Sequence, residues 1–255
     1  MPAPKNLFKQ RLLAGETQLG LWMSLASPVA AEALSLLGFD WLLFDTEHAP
    51  VEIAQLQSLL QAAATGTASC AARPAWNDKV LIKRVLDVGA QTVLVPFVQN
   101  AEEAAGAVAA TRYPPEGIRG VAGGTRASRY GTQPDYLQTA NAEICTIVQV
   151  ETRAALDEIE AIAAVDGVDG IFIGPSDLSA SLGYLGNPSA RDVQEQLAQT
   201  AKRIIAAGKA PGILATNMAD AKRYCEMGYR FVACGVDLGL LTGAARELLT
   251  AMNRN

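Results

Sequence analysis

Short runs of β-branched and apolar residues recur along this chain, and each is followed by a segment whose apolar positions return every three or four residues. The runs occupy 19–25, 41–45, 69–73, 92–97, 145–151, 170–173, 212–215 and 231–235, which makes eight candidate strands. The segments between them, such as 51–64, 101–111, 153–164 and 192–207, carry the one-sided pattern of a helix laid on a sheet. Strand and helix in strict alternation imply parallel strands, because a parallel neighbour needs a long crossover, and eight such units imply an α/β fold of the (β/α)8 TIM barrel type. Gly38, Gly66, Gly89, Gly208 and Gly228 each stand a few residues before a strand, where a helix closes on a left-handed residue.

Length agrees with that architecture. A chain of 255 residues, half of them hydrophobic and 18% charged, buries a large core, and one barrel domain spanning 1–255 uses all of it. The net charge of −5 and the absence of any Lys/Arg run argue against nucleic acid as a partner. No stretch reaches 18 uninterrupted apolar residues and the first residues lack the apolar segment of a signal peptide, so no membrane association and a cytoplasmic location are expected. Cys70, Cys145, Cys225 and Cys234 show no C-x-x-C spacing, and reduced thiols are expected.

Catalytic residues of such barrels come from the C-terminal ends of strands. Those ends read Asp45, Glu47 and His48 for the second strand, Arg73 for the third, Gln149 and Glu151 for the fifth, Gly174-Pro175-Ser176-Asp177 for the sixth, Leu214 and Asn217 for the seventh, and Asp237 for the eighth. His48 is the chain's one histidine, and beside two carboxylates it invites an acid/base role, although a satisfied polar group at a strand end looks alike in sequence. Glu151 and Asp177 follow adjacent strands; two such carboxylates share a proton, meet a cation or repel, and oxygen ligands suit Mg2+ or Mn2+. Both could instead be helix N-caps. Arg73 presents a fork for a carboxylate or an oxyanion, or an ion pair with a neighbouring acid. The Gly174-Pro175-Ser176-Asp177 turn can offer backbone N–H groups to an anion, as can a plain strand-to-helix turn.

Several mechanisms lack their carriers. No lysine ends a candidate strand, which argues against a Schiff base, and there is no G-x-G-x-x-G, Walker A or G-x-S-x-G sequence, so no organic cofactor is implied. One connection breaks the rhythm: the stretch 113–131 is long and glycine-rich and carries Arg119, Arg126 and Arg129. Loops of that length in a compact domain are usually functional.

Taken together, Gly20-Leu21-Trp22, Phe44-Asp45-Thr46-Glu47-His48, Arg73-Pro74-Ala75, Val95-Pro96-Phe97-Val98, Gly117-Ile118-Arg119-Gly120, Gln149-Val150-Glu151, Gly174-Pro175-Ser176-Asp177-Leu178 and Ala215-Thr216-Asn217 resemble the 4-hydroxy-2-oxoheptanedioate aldolase family, the class II metal-dependent pyruvate aldolases, over nearly the whole chain. The resemblance implies a barrel of the phosphoenolpyruvate/pyruvate type in which Glu151 and Asp177 bind a divalent cation, Mg2+, Mn2+ or Co2+. It implies that Arg73 and His48 face the reacting carbons and that Trp22, Gln149, Gly174, Pro175 and Leu214 line the substrate site. The backbone N–H groups around Ser176 and Asp177 would take the carboxylate of the 2-oxoacid. It further implies a homo-oligomer, a hexamer built as a dimer of trimers, with the C-terminal helix from Leu238 exchanged between subunits.

The chemistry expected from the resemblance follows from charge. A 2-oxoacid, pyruvate or hydroxypyruvate, chelated to the cation has an acidified C3 and adds to an aldehyde to give a 4-hydroxy-2-oxoacid; the reverse reaction cleaves C3–C4. Arg73 donates to the enolate oxygen. His48, oriented by Asp45 or by Asp87 of a neighbouring subunit, moves the proton on the aldehyde oxygen. Selectivity among aldehydes is expected from the loop 117–131 and from subunit contacts. The alternatives are a thioester-cleaving lyase of the same barrel group, which needs room for a bulky carrier, and a non-catalytic barrel, which has no reason to keep Glu151, Asp177, Arg73 and His48.

Overall fold

The strands pair in sequence order, each parallel to the next, and the eighth returns to the first, so the sheet is a closed eight-stranded barrel. The structure, a computed structural model, describes residues 1–252. The order is α1 (Leu7–Leu13), β1 (Gln18–Met23), α2 (Pro28–Ser35), β2 (Trp41–Asp45), α3 (Ile53–Ala63), β3 (Ser69–Arg73), α4 (Lys79–Asp87), β4 (Thr92–Val95) and α5 (Ala101–Thr111). It continues with α6 (Tyr136–Glu143), β5 (Cys145–Val150), α7 (Arg153–Asp157), α8 (Ile159–Ala163), β6 (Gly170–Ile173), α9 (Pro175–Ser181) and α10 (Arg191–Ala206). β7 (Ala210–Leu214), α11 (Met218–Glu226), β8 (Phe231–Val236) and α12 (Asp237–Ala251) complete it.

These elements match the apolar rhythm with local adjustments. The helix expected from residue 51 begins at Ile53 because Glu52 and Gln55 form a capping box. The segment 153–164 is two short helices that meet at Glu158 rather than one. Gly38, Gly89, Gly208 and Gly228 adopt the left-handed conformation expected of them, with φ from +76° to +102°. Gly66 does not; it is glycine because a Cβ there would run into the Ser35 carbonyl of α2.

Two apolar layers hold the barrel together. One lies between strands and helices, with Phe44, Leu56, Leu86, Ile171 and Leu197 fully enclosed. The other fills the barrel interior and is capped at the N-terminal end of the strands by α1, whose Phe8 meets Trp41 and Phe231 edge-on at centroid distances of 6.1 and 5.9 Å. Room for those rings comes from neighbouring strands: a Cβ on Gly20 would overlap the Trp41 indole, and one on Gly212 the Phe231 ring.

The long connection between α5 and β5 belongs to the same end. Ile118 and Arg119 donate backbone N–H groups to Ala109 and Arg112, while Arg126 donates to the carbonyls of Val88 and Leu60 at 2.8 and 3.2 Å. It is therefore packed beneath α3, α4 and α5, at the opposite end from the C-terminal strand ends where the candidate site residues lie. A connection that leads from helix to strand can lie nowhere else in a barrel. α12 stands apart in another way. Asp237 at its start is buried and accepts from Ser24 N and Oγ and from Leu25 N at 2.8 to 3.1 Å, yet no later residue of the helix is buried, and Leu240, Leu241, Leu248 and Leu249 are exposed. Among the described residues no helix is long and apolar enough to cross a membrane.

Candidate active site

At the C-terminal end of the strands a cavity of about 330 Å3 opens between β1, β2, β3, β5, β6, β7 and β8. Trp22, Asp45, His48, Arg73, Gln149, Gly174, Pro175, Ser176, Asp177 and Leu214 line it, so most of the strand-end residues read from sequence converge on one space. Ser24, Phe172 and Val236 line it too and were not read from sequence. Phe172 had a usable signal: it is the register partner of Gln149, one strand over, and so shares its level in the barrel.

Arg73 organises the site. Asp45 and Arg73 are register partners at the ends of β2 and β3, which brings both side chains to the same height. The guanidinium donates from Nε and Nη2 to the two oxygens of Asp45 at 2.9 and 2.6 Å, a bidentate pair. Nη1 lies 2.8 Å from Glu47 Oε2 and donates to Gln149 Oε1 at 3.4 Å, and the guanidinium carbon sits 4.7 Å from the Trp22 ring centroid. Trp22 Nε1 closes the arrangement by donating to Asp45 Oδ2 at 3.1 Å. Arg73 is thus ion-paired, and the pair fixes its fork at the cavity.

The same contacts bear on which group faces the imidazole within this chain. Asp45 accepts from the backbone N–H of Glu47 at 3.0 Å and of His48 at 3.4 Å, but its carboxylate is committed to Arg73 and Trp22 and does not hold the ring. The carboxylate beside the ring is Glu47, 4.0 Å from Nε2, and the His48 side chain is 68% exposed at the mouth of the cavity. Asp87 is not brought to His48 in this chain either. It ends α4 at the far side of the barrel, where Arg119 donates to it at 2.8 Å.

Glu151 lies just behind the cavity wall, buried. One carboxylate oxygen accepts from Phe97 N at 3.2 Å and the other from Gln149 Nε2. Gly174 makes that placement possible, because a Cβ there would lie against Glu151 Oε2. Asp177 is exposed at the third position of α9 and forms no side-chain hydrogen bond among the described residues. The helix N-caps are Gly174 for α9 and Thr152 for α7, so neither carboxylate is the cap it could have been. Pro175 opens α9 without an N–H, and the N–H groups of Ser176 and Asp177 have no helical acceptor in that first turn.

Four carboxylates and one guanidinium therefore meet here. Burial pushes the Asp45 carboxyl up, but the hydrogen bonds and charge of Arg73 prevail, with help from Glu47 N–H and Trp22, and its pKa falls below the usual range. Burial raises Glu47, against the pull of Arg73 and His48 and with the push of Asp45 and Asp177. Glu151 is raised to about 7, first by burial, against its bond from Gln149, and then by the charges of Asp177 and Glu47. Arg73 answers Asp45 and Glu47, whereas among the described residues Glu151 and Asp177 have no cationic partner of their own. Hard oxygen donors with unanswered charge, one of them in a cradle that a single Cβ would fill, fit a divalent cation. Among the described residues no three His, Cys, Asp or Glu side chains cluster as a complete metal cage, so such an ion would have two carboxylate ligands here and draw the rest from water and substrate.

Comparison with known proteins gives a consistent picture. A family model described as HpcH/HpaI aldolase/citrate lyase matches residues 18–244. A protein named 4-hydroxy-2-oxo-heptane-1,7-dioate aldolase from Salmonella dublin is 54% identical over 245 residues, covering 96% of this chain and 93% of the relative. The crystal structure of an HpcH/HpaI aldolase/citrate lyase family protein from Burkholderia cenocepacia superposes with a TM-score of 0.95 at 43% identity, covering 98% of this chain and all of that one. An HpcH/HpaI aldolase from Desulfitobacterium hafniense gives a TM-score of 0.88 at 27% identity over 99% of this chain and 98% of its own.

Proposed function

The chain belongs to the HpcH/HpaI aldolase/citrate lyase family, and on that footing we propose that it is a divalent-metal-dependent aldolase that makes and cleaves 4-hydroxy-2-oxoacids from pyruvate or hydroxypyruvate and an aldehyde. The observation that carries the reading is the charge at the cavity: Arg73 is matched to Asp45 and Glu47, and Glu151 and Asp177 remain as paired oxygen donors for a cation. A Mg2+, Mn2+ or Co2+ ion held by those two carboxylates would supply Lewis-acid stabilisation of negative charge on a 2-oxoacid.

The chain's own groups then divide the remaining work. The N–H groups of Ser176 and Asp177 bind the carboxylate of the 2-oxoacid, and Gln149 fixes its keto end while holding Glu151 in place. Arg73 donates to the oxygen that gains charge as C3 becomes nucleophilic; its fork, locked by Asp45, needs no reorganisation in that step. Trp22, Phe172, Leu214 and Val236 enclose C3 and keep water from it. His48 delivers a proton to the aldehyde oxygen as the bond forms and removes it from the 4-hydroxyl on cleavage, with Glu47 as the carboxylate facing it in this chain.

Assembly is part of the same proposal. Leu240 and Leu241 of α12 border a groove of about 620 Å3 lined by Val29, Ala30, Ala33 and Leu34 of α2, a surface suited to α12 of a second copy in a dimer of trimers. In such an assembly Asp87 would reach His48 of a neighbour, a role Asp87→Asn tests through the pH dependence of turnover.

The decisive experiment mixes chelator-treated protein with pyruvate and a set of aldehydes, restores each divalent cation in turn, and assays for aldol product. Product that depends on the cation is expected. No product with any ion would overturn the aldolase reading, and activity that survives strong chelation would remove Glu151 and Asp177 from the role of ligands. His48→Ala should lower turnover about 100-fold or more; normal turnover in that variant would place the proton transfer elsewhere.

A further inference from the structure

Beyond the residues that line the cavity, two large aromatic rings stand partly exposed after the ends of neighbouring strands β3 and β4. Trp76 follows β3 and Phe97 follows β4; the rings stack at 5.4 Å between centroids with 27° between planes, and they are 49% and 37% exposed. Both are carried on pinned backbone. Asp78 N donates to Trp76 O at 2.9 Å before capping α4, and Asn77 Nδ2 reaches Glu103 O at 3.4 Å. Phe97 is held in a left-handed conformation, φ +53°, between its own N–H bond to Glu151 and the bond from Val98 N to Gln149 O at 2.9 Å. A bulky residue is rare in that conformation, and a neighbourhood that fixes it there displays the ring rather than burying it.

Position relative to the reacting atoms gives the display a use, granted the aldolase reading above. The 2-oxoacid side of the cavity is built from β5, β6 and β7, which carry Gln149, the Gly174 turn and Leu214. His48, the group placed at the aldehyde oxygen, follows β2, and β3 and β4 come next around the barrel. An aldehyde whose oxygen faces His48 and whose carbon faces Arg73 extends its remaining atoms past the ends of those two strands. We propose that the Trp76 and Phe97 stack is the platform for that tail, and that the enzyme favours acceptors with an aromatic or extended apolar body over the smallest aldehydes. A flat pair of rings offers such a body apolar contact area without a charged partner, and its fixed backbone loses little freedom when occupied. The long arginine-bearing loop, at the opposite end of its own barrel, does not compete for this part in the same chain.

The test is a selectivity ratio, measured on the cation-loaded enzyme with pyruvate as donor: kcat/KM for benzaldehyde divided by kcat/KM for acetaldehyde. Trp76→Leu should lower the ratio about tenfold, the scale of one aromatic contact, and Trp76→Phe, which keeps a ring, should restore most of it. Phe97→Leu supplies an independent second reading of the same ratio. An unchanged ratio in both leucine variants would overturn the platform, as would an equal loss for both aldehydes accompanied by a lower sedimentation coefficient, which would make the stack a contact between copies. If the unaltered enzyme forms product with neither aldehyde, the aldolase reading fails together with the platform; if it forms product and the ratio does not move, the platform alone fails.

Discussion

The two ends of this barrel are built on opposite principles. At the N-terminal end Phe8, Trp41 and Phe231 fill the interior, and polar groups at the rim of the plug are tied down: the Asn6 amide reaches Gln91 O, Thr92 Oγ1 and Glu143 O at 3.0 to 3.2 Å, and Lys9 Nζ reaches Ile144 O at 2.7 Å, although among the described residues Gln18 Oε1 is buried without a partner. At the C-terminal end four carboxylates surround one guanidinium that pairs with two of them, and a cavity of about 330 Å3 takes the place of the plug. One end is filled by side chains and the other is open. Conformational stability should therefore depend on the first and chemistry on the second, and substitutions that separate the two quantities test whether the division holds.

Phe8→Ala at the closed end carries the largest expected cost. The ring is 1% exposed and touches two other aromatics, so its loss should destabilise the protein by about 3–5 kcal/mol while turnover per folded molecule stays the same. Denaturant unfolding and active-site-normalised kcat measure the two sides. A tenfold fall in kcat with intact stability would show that the ends are coupled.

Arg73→Lys is the counterpart at the open end. Lysine keeps the charge but not the fork, so the bidentate grip on Asp45 is lost, and with it the fixed donor proposed for the developing oxyanion. We expect kcat to fall by about 100- to 1,000-fold. Retention of a tenth of the activity would mean that the charge at this position matters and its geometry does not.

Much of this contrast was legible in the sequence, for reasons that particular residues make plain. β2 is buried along its whole length and reads as an apolar run up to Asp45, and a polar residue near the end of such a run stands out; Asp45, Arg73, Gln149 and Glu151 were found that way. What spacing cannot carry is the direction of a side chain once several charged groups share a site. Asp45 could orient His48 or Arg73, and register decided it by placing Asp45 level with Arg73. Glu47, the acid beside the imidazole, was visible only as one more strand-end carboxylate. Phe172, Ser24 and Val236 escaped notice because apolar and small residues at a strand end look like core. The arginines of the 117–131 loop stood out in sequence, but their place in the chain, after a helix and before a strand, puts them at the end away from their own chain's cavity.

Without a cation, acid–base equilibria should show the imbalance of the open end directly. Glu151 has a pKa raised to about 7 from a usual value near 4.5, so the folded protein holds its proton more tightly than the unfolded chain does. Its contribution is fully present below the unfolded value and is lost as pH rises through about 7, and the upward shift of Glu47 acts in the same sense. Cation-free protein should lose up to ~3 kcal/mol of stability between pH 4.5 and 8 from this source, measured by urea unfolding across that range. Mg2+ or Mn2+ should restore it at the upper end, because a cation bound by Glu151 competes with the proton, and Glu151→Gln should flatten the profile. An unchanged slope in that variant would place the titrating group elsewhere.

The smallest effect gives the finest comparison, because one chemical group occurs at both ends. Trp22 donates its indole N–H to Asp45 Oδ2 at 3.1 Å, and Trp41 donates its own to Gln18 O at 3.3 Å. Replacing either by phenylalanine removes the donor and leaves a ring, and each change should cost about 1 kcal/mol, or ~2 °C in Tm. Kinetics should distinguish them. Trp22→Phe frees Asp45 to tilt and weakens the aromatic face under Arg73, so kcat/KM should fall several-fold, whereas Trp41→Phe should leave it unchanged. Equal kinetic losses would mean that the aromatic plug transmits its packing to the strand ends, and that the barrel does not separate stability from chemistry at the level of a single hydrogen bond.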